Sequence, residues 1–219
     1  MAEKQIRSKK RVADHGEVFT AEREVKAMCD LVKQETERIE SRFLEPACGN
    51  GNFLVEVLRR NLAVVENRYK KSAYDYERYS VLAVTSLYGV DILEDNAEEC
   101  RKRLFDIWNK LYITNVKEQV STQCQEAVKF ILKKNIICGN ALTMLKSDDT
   151  PIVFSEWSLV SGSQIKRRDF ELNGLLNNLN NGPSLFLDNL EYDSELQEYI
   201  PLPIKEYPLT DYRRIQKYE

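Results

Sequence analysis

The segment Phe43-Leu44-Glu45-Pro46-Ala47-Cys48-Gly49-Asn50-Gly51-Asn52-Phe53-Leu54 most constrains what this chain can fold into. An apolar run ends in an acid, a turn of small residues with two glycines follows, and an apolar helix starts at once. Glycine reaches backbone torsions closed to other residues and lets a ligand approach the main chain. The helix start behind it offers N–H groups without intrahelical partners and a partial positive charge. A pyrophosphate cradle wants G-x-G-x-x-G, but Leu54 stands where the third glycine belongs, and no G-K-[ST] occurs. The loop therefore suits an amino-acid moiety better than a pyrophosphate, with Glu45 at its mouth to meet an ammonium.

A second acid belongs at the end of the next strand, where it can hold ribose hydroxyls. Tyr88-Gly89-Val90-Asp91-Ile92 supplies it: Asp91 for the ribose, Ile92 against an adenine ring. The distance from Glu45 to Asp91 exceeds one crossover helix, so two helices are expected there.

Periodicity extends the pattern. Helical spacing marks residues 20–39, 52–61, 74–86, 95–108 and 121–134, and strands are expected at 42–45, 87–90, 135–138 and 152–154. Strands alternating with helices imply parallel βαβ units in a layered α/β fold. Residues 1–14 read as a polar, basic arm. After Leu159 the texture changes: 169–179 is expected as one helix, and 180–219 as a loose tail or a segment that packs on a partner.

Composition sets the bounds. The 219 residues are 42% hydrophobic and 31% charged, enough for a core and a well-solvated surface. No apolar stretch is long enough to span a membrane, and the N-terminus lacks the apolar region of a secretory signal. Five widely spaced cysteines and a single histidine, His15, argue against a disulfide framework and a zinc site. A reducing cytoplasm is the simplest setting. The net charge of −3 gives no support to nucleic-acid binding and does not exclude it. Each basic cluster, Lys4 to Arg11, Arg59 to Lys71 and Lys166-Arg167-Arg168, reads singly as solvated surface.

The glycine segment resembles motif I of DNA adenine methyltransferases, the amino-methyltransferases of restriction–modification systems. His15-Gly16-Glu17-Val18-Phe19-Thr20 resembles the family's N-terminal cofactor motif, with Ala21 where proline is usual. Gly89-Val90-Asp91-Ile92 resembles motif II, and Ile137-Cys138-Gly139-Asn140-Ala141-Leu142 resembles motif III with Asn140 in place of an acid. The resemblance covers roughly residues 14–154, in the family's order when the cofactor half comes first. It implies a Rossmann-like class I fold that binds S-adenosylmethionine. Phe19, Thr20, Glu45, Pro46, Ala47, Cys48, Gly49, Gly51, Asp91, Ile92 and Asn140 would hold that cofactor. The chain then divides into a basic arm (1–14), a cofactor-binding domain (15–160), and a helix with an irregular tail (161–219).

Catalysis is less well marked. The exocyclic amine of adenine is a poor nucleophile, because its lone pair is delocalised into the ring. The enzyme must draw that pair back with hydrogen-bond acceptors and hold the flipped base on an aromatic face. The family uses D/N-P-P-Y/F after its fourth strand, and no Pro-Pro occurs here. Ser155, Glu156 and Trp157 stand where that strand should end and are the catalytic candidates, with Trp157 to stack a base. The run Leu185 to Tyr192, with D-x-x-x-Y after apolar residues, is the other candidate. The bland alternatives remain open: Trp157 packs on the sheet, Glu156 is solvated, Phe19 and Phe53 are core aromatics, and Asp91 caps a helix.

Only about 65 residues follow Phe154. The fold is therefore expected to be truncated, or completed by a partner chain such as a second methyltransferase or recognition subunit. The expected function is methyl transfer to the adenine amine of DNA; the alternative is a cofactor-binding module that is incomplete alone. A nicotinamide-type oxidoreductase on a related fold ranks behind both.

Overall fold

A computed structural model describes residues 5–177, 190–193 and 198–219. Three short strands, β1 (Phe43–Glu45), β2 (Leu87–Asp91) and β3 (Ile136–Cys138), form a parallel sheet in the order β1-β2-β3. Leu44 lies opposite Tyr88, and Val90 opposite Ile137. Between β1 and β2 run two helices, α4 (Asn52–Tyr69) and α5 (Ala73–Thr85), as the spacing from Glu45 to Asp91 required. The later crossover carries α6 (Glu94–Val116) and α7 (Thr122–Asn135).

Strand geometry divides the core. Successive side chains point to opposite faces. Leu87 and Ile136 join the large cluster of helix residues, in which Leu54, Leu58, Leu62, Leu104 and Ile131 have no exposed surface. Tyr88 and Val90 face the other way, onto Ile152, Phe154 and Leu172. Trp108 stacks on Tyr112 with ring centroids 4.6 Å apart and donates from Nε1 to Ser80 Oγ at 3.0 Å.

The N-terminal arm differs from expectation. Lys9–His15 is a helix, α1, capped by the Ser8 hydroxyl and ended at Gly16 with φ of 64°. Its basic residues are not merely solvated. Arg7 and Arg11 pair with Asp95, and Arg7 also with Glu99, on the first turns of α6. Acids at a helix start are favourable in themselves, and here they also attract the arm. The single helix expected over 20–39 is α2 (Glu22–Leu31) followed after Val32 by the short α3 (Lys33–Thr36).

The largest departure concerns the fourth strand. β4 (Val153–Leu159) does not join the parallel sheet. It pairs antiparallel with β5 (Gln164–Glu171), Ser155 opposite Asp169 and Glu156 opposite Arg168. Residues on either side of position 160 thus share one hairpin. The helix expected over 169–179 is displaced: 169–171 ends β5, and α8 covers Leu172–Asn177.

The tail is not loose where it is described. β6 (Leu190–Asp193) pairs with β7 (Glu198–Pro201), while β8 (Lys205–Glu206) and β9 (Thr210–Asp211) both pair with β5. A final 3-10 turn, Tyr212–Lys217, packs on α7. It inserts Tyr212 fully into the core, where its hydroxyl donates to the buried carboxylate of Glu77 at 2.7 Å. Tyr112 also donates to Glu77, and Arg213 supplies the counter-charge at 2.6 Å. A buried carboxylate is tolerable only when paired and hydrogen-bonded, so the end of the chain neutralises a charge planted in α5.

Arg213→Ala removes the only cation paired with Glu77 among the described residues. Buried pairs lose roughly 3–5 kcal/mol when broken; partial exposure of Arg213 reduces this to about 2–3 kcal/mol. Urea unfolding should show that loss, with Arg214→Ala, at an exposed neighbour, within about 0.5 kcal/mol of wild type.

Candidate functional site

The glycine loop crosses the carboxyl end of β2. Cys48 N–H donates to Val90 O at 2.8 Å, and Gly49 N–H donates to Asp91 Oδ2 at 2.9 Å. Gly49 and Gly51 have φ of 53° and 88°, a region that excludes most side chains. A Cβ on Gly51 would lie 2.5 Å from Cys100 Sγ on α6, and one on Gly49 would lie 3.2 Å from the Phe19 ring. The first glycine thus makes room for an aromatic over the loop, and the second lets α4 start directly against α6.

Neighbouring elements pin the loop. Arg103 of α6 donates to Asn50 O at 2.7 Å and Asn52 Oδ1 at 2.8 Å. Asn52 Nδ2 donates to Thr20 O at 2.9 Å, and Phe19 N–H donates to Gln5 O at 2.7 Å. Ala21 keeps the backbone N–H that a proline would lack, and donates it to Glu24 at the start of α2.

These elements enclose a cavity of about 540 Å³, within the range usual for small-molecule sites. Phe19, Thr20, Glu45, Pro46, Ala47, Cys48, Gly49, Asp91, Ile92 and Asn140 all line it. Gly51 is not on the wall; it turns the chain into α4. Asn140 Oδ1 accepts from Leu142 N–H at 2.9 Å, so the side chain also shapes its own loop. Cys48 is buried against Cys100, and that thiol contact together with burial holds its thiol far up, opposite to what a nucleophile needs.

Residues 19–153, more than half of the chain, match the family described as MmeI, DNA-methyltransferase domain. The chain belongs to that family. A curated relative, DNA methyltransferase A of Bacillus subtilis (strain 168), is 26% identical over 125 residues, which are 56% of this chain and 14% of that protein. The match thus spans about a seventh of the relative's length. No solved structure matches the chain.

In this methyltransferase domain the three catalytic candidates lie away from the cavity. Ser155, 1% exposed, donates to Asp169 Oδ1 at 2.7 Å and accepts from Arg167. Glu156 is held between Arg42 and Arg168, each at 2.5 Å. Trp157 donates to Asn135 Oδ1 at 3.3 Å and meets the Phe130 ring edge to face. The antiparallel register puts all three to work in packing the hairpin. Of the other candidate, Leu185 to Asn189 lie outside the described residues, and Leu190 to Tyr192 belong to β6.

Sequence reasoning missed Glu17 and Asn96 on the cavity wall, and Arg103 as the group that pins the loop. Glu17 was visible inside the H-G-E-V-F-T segment. Asn96 reads from the sequence only as a helix-capping candidate, and Arg103, on a long helix without a motif, gives no signal until α6 is docked.

Gly16→Ala meets no atom within 4 Å and bears only torsional strain, while Gly51→Ala adds a collision with Cys100. The first should lose about 1 kcal/mol and the second roughly 2–4 kcal/mol in thermal or urea unfolding. Burial raises the Glu45 carboxyl, partly offset by a hydrogen bond from the Ala47 backbone. A carboxyl with a raised folded-state pKa binds protons more readily in the folded chain, so its ionisation subtracts stability as pH rises through the folded value. Glu45→Gln should raise the melting temperature at neutral pH, with the gain shrinking at acid pH.

Proposed function

We propose that this chain is the cofactor-binding part of an S-adenosylmethionine-dependent DNA methyltransferase with a Rossmann-like class I fold. The observation that carries the reading is one cavity at the carboxyl ends of parallel strands, into which ten of the eleven sequence-assigned cofactor residues converge. Ligands in parallel α/β sheets sit at that end. The residues fit the group. Glu45 would take the ammonium of its amino-acid end, Asp91 the ribose hydroxyls, and Ile92, 57% exposed at the rim, the adenine face. Phe19 lies over Gly49, where it would cover the methionine end. The bound cofactor supplies an electrophilic methyl group on sulfonium sulfur.

The acceptor in this reading is the exocyclic amine of adenine in DNA, within a restriction–modification system in the cytoplasm. A second reading is favoured by the placement of Ser155, Glu156 and Trp157, all engaged in packing the hairpin. Under it, a partner chain brings the acceptors and the aromatic face for the flipped base, and this chain binds the cofactor without transferring the methyl group alone.

Calorimetry with S-adenosylmethionine tests both. The wild type should bind with micromolar affinity. Asp91→Ala should weaken binding at least about tenfold, since a hydrogen bond to a charged group contributes roughly 1.5–3 kcal/mol. Glu45→Gln should weaken it while stabilising the unliganded fold. Radiolabelled methyl transfer to DNA by the chain alone favours the first reading; transfer only with an added partner favours the second. No binding by the wild type overturns both.

A further inference from the structure

The acid that ends β2, Asp91, is held in part by Asn96, which none of the motifs includes. Asn96, in the first turn of α6 and 1% exposed, stands between two carboxylates. Its Nδ2 lies 2.9 Å from Glu17 Oε1 and 3.1 Å from Asp91 Oδ1. An amide nitrogen carries two hydrogens, and this arrangement gives one to each acid. The amide oxygen accepts from Arg11 Nη2 at 3.3 Å. Glu17 is gripped in a fork by Arg11 Nε and Nη2, both at 2.7 Å. Burial alone would raise the Glu17 carboxyl, but the bonds from Arg11 and Asn96 carry it below its ordinary value.

These contacts dictate the residue types. Two carboxylates this close repel, and an aspartate at position 96 would add a third charge. Alanine would leave the facing oxygens of Glu17 and Asp91 unbridged. Asn96 both separates the charges and sets the plane of the Asp91 carboxylate, whose other bonds come from Gly49 N–H and Leu93 N–H, each at 2.9 Å.

We propose that Asn96 is a positioning residue that aims Asp91 at the cofactor's ribose hydroxyls. Glu17 and Arg11 anchor it, so that the N-terminal helix sets recognition of the ribose. This rests on the S-adenosylmethionine reading above. Asn96 and Glu17 lie at the cavity wall with their polar groups turned to Asp91 and to each other, so a role through Asp91 is marked by an effect on ligands that carry the hydroxyls.

The test uses the full chain and two probes, S-adenosylhomocysteine and its 2′,3′-dideoxy analogue, with affinities measured by calorimetry. Wild type should prefer the hydroxylated probe by on the order of tenfold or more. Asn96→Ala and Glu17→Ala should bring that preference close to one, by weakening the hydroxylated probe about tenfold and the dideoxy probe less than about twofold. Glu17→Gln, which keeps an oxygen toward Asn96, should retain the preference. If Asn96→Ala does not fold, the Glu17 pair decides. Equal weakening of both probes, or no change in either, overturns the proposal in favour of a purely structural role. Wild type binding both probes equally removes the ribose contact and the proposal with it, while leaving cofactor binding intact. Wild type binding neither removes the cofactor reading itself.

Discussion

The carboxylate of Asp91 ties together everything that makes this cavity a site. It ends β2, receives the N–H of Gly49 from the loop, and receives the N–H of Leu93 at the start of α6. The loop, 42 residues earlier in the chain, therefore meets the end of β2 and the start of α6 on one side chain. The loop has few apolar atoms of its own to bury, and glycines raise the entropy lost on ordering it. Hydrogen bonds to a charged acceptor, in a partly dry setting, are stronger than neutral ones. They fix a backbone that packing alone would leave free. The same group thus shapes the loop and faces the cavity, and any ligand at Asp91 meets a carboxylate already oriented.

A second buried carboxylate, Glu77, organises the opposite part of the molecule. It sits 3% exposed on α5 and accepts from tyrosines on α6 and on the terminal turn. Its counter-ion arrives last in the chain, on Arg213. The helix layer and the terminal segment are consequently coupled: α5 buries a charge that Tyr112 of α6 shares with Tyr212 and Arg213. In the hairpin, Arg167 plays the matching part. Its guanidinium bonds Asp169 and stacks on Tyr207, 4.0 Å from the ring centroid. At both places a segment late in the chain, Tyr207 or Tyr212 with Arg213, completes a polar or ring contact with a buried charge.

How much of this could be read from the sequence follows from the range of the forces involved. The loop, its flanking strand and helix, and the acids Glu45 and Asp91 were legible because their constraint is local: glycine torsions, strand length and a helix start leave a mark within a dozen residues. The two helices between β1 and β2 were legible from distance along the chain. The antiparallel hairpin was not read, though its signal was present. Glu156 faces Arg168 and Phe154 faces Phe170, which are the complementary cross-strand pairs that stabilise such ladders. Counting strands by analogy with a parallel sheet hid that pattern. The contacts of Asn96 could not have been read at all, because its partners Glu17 and Asp91 are brought together only by tertiary packing.

The hairpin also bears on how the chemistry is divided. Every polar group of Ser155, Glu156 and Trp157 described above is committed to a partner within the fold. To reach a base, those side chains would have to abandon Asp169, Arg42, Arg168 and Asn135. That would leave Arg167 and Asp169 without their bridging hydroxyl in a buried setting, where a lost partner is costly. The cavity residues stand in the opposite condition. Glu45 gains little from its surroundings beyond one backbone hydrogen bond and is raised by burial; a ligand cation would relieve it. The hairpin thus pairs its polar groups within the fold, while the cavity holds an acid raised by burial, which a bound cation would stabilise.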